Sequence, residues 1–108
     1  MRDLLAAREI ATFNGARFFA ILQPNAFLET WQGRWGPSPS VRYDSSIVNA
    51  VRAYYNDLRL RLNSKTYFAD ATHIFDRLTT SPYADWMHVD DIGNREVAHF
   101  SWTLLMAP

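Results

Sequence analysis

At 108 residues, with 11 basic and 11 acidic side chains that cancel to a formal net charge of zero, the chain has room for one small domain. No run of like charges is long enough to form a patch, which argues against nucleic acid or an acidic membrane surface as a partner. The sequence has no cysteine, so disulfides and thiolate metal sites are excluded and the compartment stays unassigned.

No apolar run approaches the roughly 20 residues of a membrane span. The first residues, broken by Arg2, Asp3, Arg8 and Glu9, are unlike a signal peptide, and the chain reads as soluble. Aromatic residues make up 15% of the sequence and include Trp31, Trp35, Trp86 and Trp102. Rings beyond what so small a core can enclose would mark a surface meant to be covered.

Good helix formers from Arg2 to about Phe13, with Ala6, Ile10 and Phe13 at helical spacing, predict a first helix that stops at Asn14-Gly15. The nearly continuous apolar run Ala16 to Leu22 predicts a buried strand ending at Gln23-Pro24, and its lack of alternation favours parallel pairing. Pro24 to about Tyr43 holds Gly33, Gly36, Pro37 and Pro39 among Phe27, Trp31 and Trp35, and reads as a long loop. Such loops serve as lids or binding segments, or are insertions whose rings cap the core; both readings stay open.

Asp44, Ser45 or Ser46 is placed to cap a second helix, along which Ile47, Val51, Tyr54, Leu58 and Leu62 form an apolar face opposite Asn49, Arg52, Asn56 and Arg59. Thr66 to Ala71 reads as a second strand with Asp70 near its end, so strand, helix and strand make a βαβ unit with parallel strands. Ala71 to Ala84 is irregular apart from a helical turn near His73 to Leu78. Asp90 or Asp91 then caps a last helix with Gly93, Val97, Phe100 and Leu104 on one face, Gly93 allowing close approach to the sheet.

This order implies an α/β fold: part of a doubly wound, flavodoxin-like three-layer sandwich, with about two parallel strands and helices on both faces. Residues 1–108 form a single, partial domain. Two strands leave unpaired edges, so the exposed edge is expected to meet a missing amino-terminal half or a second copy. The ligand crevice of such a sheet lies beyond the carboxyl ends of its strands, where Gln23 to Phe27, Asp70 to Phe75 and the loop from Asp85 to His88 should converge.

The loop Asp85-Trp86-Met87-His88 carries the candidate chemistry. An Asp three residues before a His can fold back onto one ring nitrogen and leave the other free to take a proton from a hydroxyl. A metal site at Asp85, His88, Asp90 and Asp91 is a weaker reading, because no second histidine stands at the spacing of a helical zinc site. No metal or cofactor is therefore assigned. His73 and His99 read as structural or solvent-facing, and Trp86 and Met87 as packing.

The run Asp85, two residues, His88, Val89, Asp90, two residues, Gly93, Asn94, then Val97-Ala98 resembles the last conserved block of the SGNH, or GDSL-type, esterases and lipases. Phe19 to Pro24 is similar to a strand with a Gln-Pro ending in some members. The resemblance spans roughly Ile10 to Leu105, which corresponds to the carboxyl half of that fold. It implies a serine ester hydrolase with a small ester or acetyl substrate, His88 as the triad base and Asp85 as the acid that orients it. The family's early Gly-Asp-Ser block, the following Gly and the Gly-x-Asn-Asp block have no counterpart. None of Ser38, Ser40, Ser45, Ser46, Ser64, Ser81 and Ser101 sits in the context of the nucleophile. The chain is thus expected to be inactive alone, whether as a truncated product, a fragment needing its other half, or a degenerate relative. The alternative is a non-catalytic α/β module that pairs its sheet edge with a partner chain.

Overall fold

The computed structural model describes residues 1–28 and 44–108. The described elements follow the order α1 (Arg2–Phe13), β1 (Ala20–Leu22), a 3-10 helix (Ala26–Leu28), α2 (Ser45–Leu62), β2 (Phe68–Asp70) and α3 (Asp91–Met106). The fold class is mixed α/β, as expected. The question of whether Trp31 and Trp35 line a lid or cap the core lies outside the described residues.

Helix α1 ends where Gly15 takes φ +72. The Ala16 N–H then reaches the Ala11 carbonyl at 2.9 Å and the Gly15 N–H that of Thr12 at 3.0 Å, an arrangement that closes the helix on a left-handed residue. None of the α1 residues is buried. Of the stripe expected along it, Ile10 is 66% and Phe13 91% exposed. Leu4 is half-buried and shares a cleft with Ala20, Ile21, Leu22 and Phe68, and the Arg8 guanidinium lies 4.7 Å over the Tyr67 ring.

Strands β1 and β2 pair in parallel, Ala20 opposite Phe68, Ile21 opposite Ala69 and Leu22 opposite Asp70. Both are shorter than the apolar runs predicted. The ladder opens with Ala20 N–H on the Tyr67 carbonyl at 2.7 Å and closes with Ala71 N–H on that of Leu22 at 3.0 Å. Before it, Arg17 turns away to the end of α3, donating to the carbonyls of Leu105 at 2.7 Å and Leu104 at 3.4 Å. That cation faces the negative end of a helix with no basic residue in its own last turn.

Helix α2 is capped by Asp44, whose carboxylate accepts from the Ser46 N–H at 2.7 Å. Its inner face is rotated from the one expected. Tyr55 and Leu62 are buried, with Val48, Val51 and Leu58 half-buried, whereas Tyr54 and Ile47 face out. Stepping back from the buried Leu62 by three and four residues gives Leu58, Tyr55, Val51 and Val48, so the deepest anchor sets the phase. Arg59 is not a bystander on the wet side. It donates to Asp70 at 2.8 Å and also bonds the Thr72 hydroxyl, which itself donates to Asp70 at 2.6 Å. Partial burial pushes the Asp70 carboxyl up, but the bonds from Thr72 and Arg59 outweigh it and hold it below the ordinary range.

After β2, successive turns close by Ile74 N–H to Ala71, Asp76 to His73 and Leu78 to Phe75. They carry Phe75 into the core at 0% exposure, its ring edge-on to Tyr83 with centroids 5.5 Å apart. Helix α3 is capped by Asp90, which accepts from Gly93 N–H at 2.9 Å. Gly93 is buried and Val97, Phe100 and Leu104 are half-buried, the face predicted. The close approach at Gly93 is made to Pro82 and Val89 rather than to a strand. A Cβ there would lie 2.6 Å from that of Val89 and 3.1 Å from Pro82. Gly93→Ala is therefore expected to destabilise by about 1–3 kcal/mol through overpacking, more than the ~1 kcal/mol of helix propensity gained. Urea denaturation measures it, and a stability equal to or above wild type would contradict the packing.

Candidate active site

The loop between Pro82 and α3 is built before any functional group is considered. Tyr83 and Val89 form an isolated antiparallel bridge, and Asp90 N–H donates to the Pro82 carbonyl at 2.7 Å. Inside that bridge the His88 carbonyl accepts from Ala84 N–H at 2.9 Å and Asp85 N–H at 3.3 Å, which bends residues 84–88 into a tight turn. An Asp at the start of such a turn folds its carboxylate onto the backbone that follows.

Asp85 uses its two oxygens differently. Oδ1 accepts from the N–H groups of Met87 at 2.8 Å and His88 at 2.7 Å, and Oδ2 lies 2.7 Å from His88 Nδ1. The backbone bonds from His88 and Met87, then the contact with the His88 ring, lower the Asp85 carboxyl to about 2. At neutral pH it is ionised and can only accept. The proton of the shared hydrogen bond therefore belongs to Nδ1, so a neutral imidazole keeps its lone pair on Nε2. Among the described residues Nε2 meets no hydrogen-bond partner, and the ring is 69% exposed. The pair sequence reasoning placed here, Asp85 and His88, is thus joined in the geometry that orients a general base.

Asp85 also sets a pH response. Its carboxyl is lowered in the folded chain, so the stability it contributes is present above the ordinary carboxylate value and is lost as pH falls from about 4 through about 2. A carbon-13 titration of the side-chain carboxyls should show Asp85 turning last, near that low value. A midpoint at the ordinary value would remove the three hydrogen bonds from the account.

The segment after β1 meets this loop as expected, whereas Asp70 and Thr72 after β2 are held by Arg59 and only Phe75 reaches the base of the loop. Ala26 N–H donates to the Trp86 carbonyl at 3.0 Å, the Phe27 and Trp86 rings stack at 5.0 Å with 4° between their planes, and Phe75 meets Tyr83. Sequence reasoning placed residues 23–27 near the crevice but gave Asn25 and Phe27 no task. The available signal was an Asn directly after Pro24, a residue pair that favours a turn at a strand end.

The other candidates stay apart. His73 pairs with Asp76 at 3.3 Å, both well exposed. Among the described residues no group of three histidine, aspartate or glutamate side chains could hold a metal ion. Asp90 is occupied as the cap of α3. Ser81 accepts from the Tyr83 N–H and Ser101 donates to the Val97 carbonyl, so neither meets His88; Ser38 and Ser40 lie outside the described residues. No described helix is long and apolar enough to cross a membrane.

No protein-family model matches the chain, and no curated protein or solved structure matches it either. Function therefore has to be argued from the Asp85 and His88 loop itself.

Proposed function

We propose that the chain is the carboxyl-terminal part of an SGNH, or GDSL-type, serine ester hydrolase with a doubly wound α/β fold, and that it carries the acid and base of the triad. The single observation supporting this most is the 2.7 Å contact between Asp85 Oδ2 and His88 Nδ1. It lies on a loop tied to the segment after β1 and followed at once by a capped helix. In the complete reaction His88 Nε2 takes the proton of a serine hydroxyl as that oxygen attacks an ester carbonyl, then returns it to the departing alcohol. Asp85 holds the imidazole in the tautomer required and stabilises the imidazolium formed between the two transfers. The positive end of α3 opposes that cation, and Asp90 and Asp91 at the same end offset it.

The nucleophile and oxyanion donors would come from the amino-terminal half of the domain. Hydrolysis of short p-nitrophenyl esters by the purified chain, alone and mixed with an amino-terminal half that carries a serine block, tests the proposal. The chain alone should be inactive. Robust hydrolysis by the chain alone that survives His88→Ala would end it.

A second reading has its own support. Ile10, Phe13, Trp102, Leu105 and Met106 are each more than half exposed, and among the described residues the sheet has only two strands. Such a surface suits a module that adds its sheet edge to a partner chain. Sedimentation at micromolar concentration tests this reading, since a stable monomer with cooperative unfolding would mean that the edge is covered within the chain.

A further inference from the structure

We infer that Phe27 is the positioning residue of this site: its ring is the fixed surface on which Trp86 lies and from which the Asp85 and His88 turn takes its place at the end of β1. The inference rests on the hydrolase reading for its catalytic meaning, though the geometry stands without it.

Phe27 is 3% exposed, and its main chain is held from both sides. Its N–H donates to Asn25 Oδ1 at 2.9 Å, and its carbonyl accepts from Arg52 Nε of α2 at 2.6 Å. Asn25 is itself buried, at 5% exposure, and lies beside Tyr55 of the same helix. Burial raises the Tyr55 phenol, with Asn25 opposing, so the hydroxyl stays protonated at neutral pH. Arg52 of α2 and the Asn25 side chain thus fix the peptide groups on either side of Phe27. A ring so held has little freedom, and stacking transfers that restraint to Trp86.

Trp86 occupies the middle of the turn, between the carboxylate and the imidazole. Its carbonyl accepts from Ala26 and its ring lies on Phe27. The hydrogen bonds that join Asp85 to Met87 and His88 are local and orient the pair within the turn. They do not say where the turn sits relative to the strands. That placement comes from the bridge at Tyr83 and Val89 at its base and from the Phe27 and Trp86 contact at its tip. A general base displaced by about 1 Å from its partner can lose on the order of 100-fold in rate, which gives the tip contact its importance.

Nitrogen-15 relaxation of the backbone and two-bond correlations of the His88 ring, measured on the full chain, test this. In the wild type the Trp86, Met87 and His88 amides should be as rigid as α2, with order parameters of about 0.85. In Phe27→Leu and in Trp86→Leu those three should fall below about 0.6 while α2 stays rigid, and Trp86→Phe, which keeps a ring to stack, should restore them. Trp86 is only half-buried, so its variants keep the test decisive if Phe27→Leu does not fold. Rigid amides in Trp86→Leu would overturn the inference, as would a loss of order shared equally by α2. The hydrolase reading fails by a different signal: a wild-type neutral His88 ring that carries its proton on Nε2 would remove the base, whatever Phe27 does.

Discussion

In a hydrolase reconstituted from this chain and an amino-terminal half carrying the serine block, His88→Ala is expected to lower kcat on the order of 10⁴- to 10⁶-fold, with KM little changed. The imidazole lies 69% exposed and contributes little packing, so its removal should leave the fold and the substrate contacts in place. What disappears is proton transfer in both directions. Asp85→Asn is expected to cost about 10⁴-fold by another route. An amide that keeps its oxygen on the Met87 and His88 N–H groups turns its NH₂ toward Nδ1 and drives the ring proton to Nε2, the wrong nitrogen for a base. Unchanged kcat in His88→Ala would exclude His88 from the chemistry.

Phe75→Ala is expected to destabilise the chain by about 3–5 kcal/mol. The ring has no solvent exposure, fills the space between the turns after β2 and the loop before α3, and meets Tyr83 edge-on. A domain of this length has only about 5–15 kcal/mol in total, so the variant should be largely unfolded in mild denaturant. Phe13→Ala is the control. At 91% exposure it should change stability by no more than about 0.5 kcal/mol. Thermal and urea unfolding of the two proteins side by side gives the answer, and equal losses would mean that the outer face of α1 is covered in solution.

These two phenylalanines also mark where the sequence could be read and where it could not. Local signals carry far: Asn14-Gly15 as a stop, a cap among Asp44, Ser45 and Ser46, a cap at Asp90 or Asp91, and Asp85 folding back on His88 all depend on atoms within a few residues, and the structure selects Asp44 and Asp90 as the caps. The parallel pairing followed from the order of elements and the helix between the two strands. Phase and depth were harder. Tyr54 and Tyr55 are equally apolar, and it is Tyr55 that turns inward, in phase with the buried Leu62. Ile10 and Phe13 have core-like spacing with nothing described lying over them. Both strands are shorter than their apolar runs, and Arg17 reaches a helix end 88 residues away, a partner no local pattern announces. At the candidate site the pair was legible, but its anchor was not, since Phe27 reaches Trp86 only through the tertiary fold.

The Arg17 clamp has one more consequence, for synthesis. The carbonyl it grips belongs to Leu105, so during translation the guanidinium must wait for the last turn of α3 to leave the ribosome. Until then the start of β1 has no hold on α3, although the turn bearing His88 can already be fastened by the Tyr83 and Val89 bridge and by the Ala26 N–H on the Trp86 carbonyl. The Arg17 contact should therefore be among the last of the described contacts to form, since it spans 88 residues.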